Sequence, residues 1–284
     1  MATHLLAIAS VLLYVAATAL MLLQLWRPSR AGRTAGAAHA AFLVALGLHT
    51  VTLGLVLKDD RFLLLDNGAD YFLLVSWGLA VVFALLKRRL NYPIVGAFLI
   101  PTIVLFMGSS SYLLHNEPVS LLADPSVQTK EGILLSLLHG VPALVAVVSL
   151  ALALVVSAVF LIVERRIKQR RGEMLSLAGP NLQILDVLNR QLVQVGFVAI
   201  SFVVLSGSLW AVSEQKPVFS ADTSVISGLV TWVLLACILH ARLVLKWSPR
   251  QVSRLTVLVT ASFFVTVFAV MAWAGRITHA ELFS

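Results

Sequence analysis

The stretch GILLSLLHGVPALVAVVSLALALVVSAVFLIV, residues 132–163, runs for 32 residues without a charge. Coiled as an α-helix, it would be about 48 Å long at 1.5 Å per residue. The hydrocarbon core of a bilayer is only about 30 Å thick, so such a helix crosses it and must tilt, kink or project beyond it. One ionisable group interrupts the run, His139, with Pro142 three residues later. An ionisable residue in a membrane span is costly and points to function, so its depth matters first. The basic cluster that starts at Glu164 marks the inner membrane surface. Counting back about 20 residues puts the outer surface near Ala143 or Leu144. His139 then lies at or just above the outer rim, with Pro142 at an expected bend. That depth opens the imidazole to the outer compartment and argues against a mid-membrane relay.

The rest of the chain repeats this pattern. Of its 284 residues, 60% are hydrophobic and 12% charged, against roughly 25% charged in soluble domains. The class is integral membrane protein. Without period-2 alternation the fold class is all-α, a polytopic transmembrane helical bundle. Eight spans are expected, at about 4–26, 37–57, 71–86, 93–114, 132–163, 191–213, 223–245 and 253–275. The connecting segments alternate in charge. RPSRAGR, KRR, ERRIKQRR and KWSPRQVSR are basic, whereas KDDRFLLLDNGAD, HNEPVSLLADPSVQTKE and SEQKPVFSAD are mixed or acidic. The positive-inside rule then places both termini outside. In a bacterial inner (cytoplasmic) membrane they are periplasmic. The positive charges near the first span follow its apolar run, which argues against a cleaved signal peptide.

The formal charge of +8 sits in those short inner clusters. Their expected partners are the head groups of the lipid bilayer, and no nucleic acid is implied. The longest inner loop, 164–190, is basic and patterned, with Leu182, Leu185 and Leu188 at helical spacing. It reads equally as an amphipathic helix on the inner membrane surface or as a solvated hairpin. No loop has room for a soluble domain, so residues 1–284 form a single membrane domain. Cys237 is the only cysteine, which excludes an internal disulfide and a thiolate metal cluster. Three residues before His240, it reads as a small buried thiol.

With acids nearly absent from the spans, chemistry inside the membrane falls to histidine. A permease or ion-coupled transporter usually shows buried acids or bases, which weakens that reading. A neutral imidazole in an apolar slot is compatible with axial ligation of haem iron. Four of the seven histidines are candidates. They are His139, His49 near the middle of the second span, His240 near the inner end of the seventh, and His279 just past the eighth. Each also reads as a histidine hydrogen-bonded to a neighbouring helix or a head group. Trp210, Trp232, Trp247 and Trp273 lie near span ends, where interfacial tryptophan needs no ligand. No nucleophile–base constellation supports ordinary enzymatic catalysis.

The most specific part of the chain lies between Asn181 and Arg242. There Leu185-Asp186, Gly196-Phe197, Gly207, Trp210-Ala211, Thr231-Trp232 and Leu239-His240-Ala241-Arg242 follow one another. This series resembles the cytochrome c assembly membrane family, which includes the CcsA/ResC synthase subunits and the HemX-like and YpjD-like proteins. The resemblance covers about 132–275. It implies a b-type haem as cofactor, with His139, His49, His240 and His279 as cofactor-binding positions and His139 and His49 as iron ligands. It also implies a cytochrome c assembly partner subunit. The family's tryptophan-rich WWD loop would place its acid on Asp222, yet its tryptophan neighbour falls on Ala221. No tryptophan stands between Trp210 and Trp232. The chain therefore looks closer to the HemX-like or YpjD-like branch. The expectation is a membrane protein that binds haem and assists cytochrome c assembly or haem handling. The alternatives are a regulator or assembly partner that has lost the ligand, and a small-molecule permease.

Overall fold

The computed structural model describes residues 2–27, 31–58, 68–90, 93–116, 130–169, 181–213, 215 and 223–281. Among these residues there are eight helices: α1 (Ala2–Trp26), α2 (Ala31–Lys58), α3 (Gly68–Leu90), α4 (Pro93–Asn116), α5 (Lys130–Lys168), α6 (Leu182–Ser213), α7 (Thr223–Leu243) and α8 (Pro249–Glu281). All eight are long and apolar enough to cross a membrane. The fold is an all-α, polytopic membrane protein; seven of the eight expected spans lie within these helices, and the remaining one, 223–245, runs two residues past the end of α7 at Leu243.

The helix ends differ from the hydropathic limits for local reasons. α8 begins at Pro249, ahead of the expected start at 253, because Ser248 and Gln251 form a reciprocal capping box. The Ser248 amide donates to Gln251 Oε1 at 3.0 Å, and the Gln251 amide donates to Ser248 Oγ at 3.5 Å. Pro249 fills the first helical position, where a missing N–H costs nothing. α6 starts at Leu182, ahead of the expected 191, capped by Asn181, whose Oδ1 accepts from the Gln183 amide at 2.8 Å. The segment read as part of an inner-surface loop, 182–190, is thus the first turns of α6. Leu185 and Leu188 are buried in the protein instead of lying on the membrane surface. Residues 170–180 lie outside the described residues.

The chain divides into two compact units: residues 1–112 with 159–185, and residues 113–158 with 186–284. In the first unit α1 packs along α2. Ala17, Ala38 and Ala45 are buried there, and such small side chains let membrane helices approach closely. The same core is aromatic: Tyr14 meets Phe42 at 5.9 Å between ring centroids, Phe42 meets Phe83 at 5.2 Å, and Phe72 meets Phe106 at 5.5 Å.

In the second unit α5 and α6 run antiparallel at close range. A Cβ on Gly196 would lie 3.2 Å from Leu150 Cδ2, so the bare backbone is what seats that leucine. α6 and α7 are joined by the stacked rings of Phe197 and Trp232, 6.0 Å apart at 13°. Trp232 Nε1 donates to Ser201 Oγ at 2.9 Å. Near the start of α6, Arg242 forks onto Asp186 with two bonds of 2.7 and 2.6 Å. This bidentate geometry is the strong form of the ion pair.

Because the Asp186–Arg242 pair is largely shielded, at 18% and 15% side-chain exposure, Asp186→Asn is expected to cost about 2 kcal/mol. The measurement is thermal unfolding in detergent, where the single change lowers the midpoint. The charge-swapped Asp186→Arg, Arg242→Asp protein recovers part of the loss.

Candidate functional site

His139 sits on α5 in the second unit, half-buried against α6. Three residues of α6 surround its ring. Ser206 Oγ lies 3.3 Å from His139 Nδ1. At Gly207 a Cβ would stand 3.3 Å from Cε1 and 3.4 Å from Nδ1, so the ring rests on uncovered backbone. Trp210, one turn on from Ser206, meets the imidazole edge-on at 6.2 Å and 82°. The His139 ring is also hydrogen-bonded to the Val203 backbone carbonyl of α6. An apolar groove of about 440 Å³ follows the same α5–α6 seam, lined by Val141, Pro142, Val145, Val198, Ala199 and Phe202. α5 continues as helix through Pro142, and the proline ring removes one backbone donor there.

His49 lies on α2 in the first unit and is fully buried. Its Nε2 is 3.4 Å from Ser76 Oγ and its Nδ1 is 3.4 Å from Tyr14 Oη. Ser76 donates its single hydroxyl proton to the Leu73 carbonyl at 2.8 Å, so it faces the imidazole only as an acceptor. Nε2 must then carry the ring proton, and Nδ1 receives the Tyr14 hydroxyl. Both nitrogens are engaged inside the protein. Next to it, Trp77 Nε1 donates to Thr50 Oγ1 at 3.0 Å.

An axial haem ligand needs a neutral imidazole with one uncommitted lone pair and an apolar slot for the macrocycle. His139 and the groove share the α5–α6 seam, and the groove's lining includes Gln194 and Val195 but not His139 itself. His49 is fully buried, with Tyr14 Oη and Ser76 Oγ each 3.4 Å from a ring nitrogen.

The remaining candidates are scattered. His240 is exposed near the end of α7. Cys237, expected as a buried thiol, is exposed on the same helix. Trp232 is occupied in packing against Phe197 and Ser201. Trp210 is the one tryptophan placed against a candidate histidine. The backbone of α8 reaches Glu281 and so includes position 279, but the His279 side chain lies outside the described residues, as does Asp222. Among the described residues no group of three or more His, Cys, Asp or Glu side chains converges to hold a metal ion. Haem iron is held by the macrocycle and one or two axial ligands, so it requires no such cluster. Tyr14, Ser76 and Ser206 had no motif to mark them. The available signal was the LSGSLW run, where a serine precedes the glycine and stands one helical turn before the tryptophan.

Comparison with known proteins adds a family. The model described as cytochrome c assembly protein matches residues 66–277. That range starts well before residue 132, so the likeness includes α3 and α4 as well as the expected C-terminal region. It contains Ser76, His139, Ser206 and Trp210 but neither Tyr14 nor His49. The cytochrome c biogenesis protein CcsA of Guillardia theta is 22% identical over 225 residues, covering 74% of this chain and 73% of that protein. Its counterpart in Prochlorococcus marinus strain NATL2A is 24% identical over 255 residues, covering 80% and 79%. The CcsA of Porphyra purpurea is 23% identical over 279 residues, covering 84% and 85%.

The two hydrogen bonds of His49 are long, which puts each near the lower end of the usual range, about 0.5–1 kcal/mol. Tyr14→Phe and Ser76→Ala should each lower the thermal unfolding midpoint slightly. His49→Ala, which empties a buried volume, should cost more, about 2–4 kcal/mol.

Proposed function

The chain belongs to the cytochrome c assembly protein family, and from that premise we propose that it binds b-type haem through His139 and assists cytochrome c assembly or haem handling. The observation that carries this reading is the division of labour within one imidazole. Nδ1 faces Ser206 Oγ at 3.3 Å and the ring also bonds the Val203 backbone, an arrangement that ties the imidazole to α6 on one side and offers its other side to a ligand. Bound haem would supply a redox-active iron on that side. The chain's own part is to hold the ring, offer an apolar groove and fix the depth at which the ligand stands.

The charge pattern of the loops supports an inner-membrane protein with both termini outside. In that orientation α5 begins and α8 ends on the outer side, so positions 139 and 279 are those that would hold the group. His49 is assigned to packing within the first unit, and His240 to the inner membrane interface. Since Ala221 stands where the family's loop tryptophan would be, the chain fits the HemX-like or YpjD-like branch. It lacks the aromatic platform from which haem is presented to an apocytochrome. The role is that of an assembly or homeostasis factor acting beside a partner subunit, and not that of an enzyme.

The same missing tryptophan favours a second reading, a regulator or assembly partner that keeps the scaffold without the ligand. Spectroscopy separates the two. Protein purified in detergent and supplied with haem should show a Soret band. His139→Ala should lose it, His279→Ala should turn a six-coordinate low-spin spectrum into a five-coordinate high-spin one, and His240→Ala should leave it unchanged. A wild-type protein that shows no Soret band after haem is supplied sinks the haem reading in favour of the second.

A further inference from the structure

We infer that Ser206 and Gly207 form a positioning pair that selects the Nδ1–H tautomer of His139 and so directs its lone pair to Nε2. This rests on the haem reading above and extends it to residues that do not themselves touch the ligand.

The inference begins with a count of protons. Ser206 has one hydroxyl proton. It is given to the Phe202 carbonyl at 2.7 Å, with the Val203 carbonyl at 3.2 Å as a second acceptor on the same helix. The hydroxyl oxygen therefore turns only lone pairs toward the neighbouring α5. A bare imidazole nitrogen facing those lone pairs at 3.3 Å would be repelled, so the nitrogen that faces them, Nδ1, carries the hydrogen. In a neutral imidazole the other nitrogen is then the one with a free lone pair. Gly207 supplies the second constraint. With a Cβ position only 3.3 Å from Cε1 and 3.4 Å from Nδ1, it lets the ring settle against the main chain at hydrogen-bonding distance from Ser206. A methyl group there would push the ring away by a few tenths of an ångström.

The first unit contains a natural control. There Ser76 also gives its proton to a carbonyl of its own helix and faces a histidine as an acceptor. The remaining nitrogen of His49 is met by the Tyr14 hydroxyl. At His139 no second side-chain hydroxyl meets the ring among the described residues, and its other contact of this kind is to the Val203 backbone. One device thus occurs twice, closed by a phenol in one unit and left open in the other.

A merely structural serine and a positioning serine give different results. The Ser206 hydroxyl is already paired within its own helix, so Ser206→Ala leaves no backbone group orphaned and should fold normally. If it positions His139, the alanine variant loses the hydroxyl acceptor that acts beside the Val203 carbonyl in keeping the imidazole electron-rich. Haem affinity should then fall about 10- to 100-fold, and the midpoint potential should rise because the ferric state loses stabilisation. Ser206→Thr, which keeps the hydroxyl, should restore both. Gly207→Ala should shift the Soret maximum and weaken binding with Ser206 intact. The experiment uses the full chain in detergent, titrated with haem and then poised electrochemically, with thermal unfolding run in parallel. Wild-type affinity and potential in Ser206→Ala would overturn the positioning role while leaving haem binding standing. So would an equal loss in Ser206→Ala and Ser206→Thr. Failure of the wild type to bind haem, or full retention in His139→Ala, would instead overturn the parent reading.

Discussion

The hydroxyl-to-own-helix hydrogen bond is the interaction on which the polar chemistry of this protein depends. In hydrocarbon a serine or threonine has no water to satisfy it, so it turns back to the carbonyl three or four residues earlier. Thr18, Thr52, Ser201, Ser208, Thr231, Thr256 and Thr260 all do so, with bonds of 2.7–2.9 Å. Each such hydroxyl then presents only lone pairs to a neighbouring helix. Trp232 uses one, donating its indole N–H to Ser201, and the two buried-face histidines use Ser76 and Ser206 in the same way. The helices can thus carry polar side chains in an apolar solvent without breaking their own ladders. At Ser76, Ser201 and Ser206 the direction of the interhelical hydrogen bond is decided within a single helix.

Seen in this light, the two histidines differ in one neighbour. Tyr14 closes the His49 site, edge-on at 6.1 Å and with its hydroxyl on the ring. Trp210 meets His139 in nearly the same edge-on geometry, but it can only donate through its indole N–H, which is not bonded to the ring. The chemical competence of a membrane histidine therefore depends on the aromatic beside it more than on how deeply it is buried. Burial alone ranks His49 first; the lone-pair inventory ranks His139 first.

Much of the fold was legible because hydropathy and loop charge are local properties, and eight apolar runs separated by charged segments leave little choice of topology. What hydropathy misses is where a helix continues past the apolar core. Residues 182–190 read as a surface segment, yet they begin α6 because Asn181 caps it and Asp186 finds Arg242. The exposure of Cys237 was likewise hidden, since an apolar residue in a span gives no sign of which face meets lipid. At the site, His139 could be singled out from the apolar run that holds it. Ser206 could not, because the two are 67 residues apart and their meeting is set by the antiparallel register of α5 and α6. Gly207 stood within a recognisable series, but its use as a seat for an imidazole is visible only when the opposing ring is in place.

The fork between Arg242 and Asp186 also bears on how the chain is made. Arg242 follows Asp186 by 56 residues, so a ribosome delivers the acid well before its partner. During that interval Asp186 stands as an unneutralised anion at the threshold of the bilayer. It is relieved only after α7 has crossed in the opposite direction and returned its basic end to the side where α6 began. The ion pair thus marks the completion of a correctly inserted hairpin. A chain whose seventh helix failed to cross would leave Asp186 without its Arg242 partner.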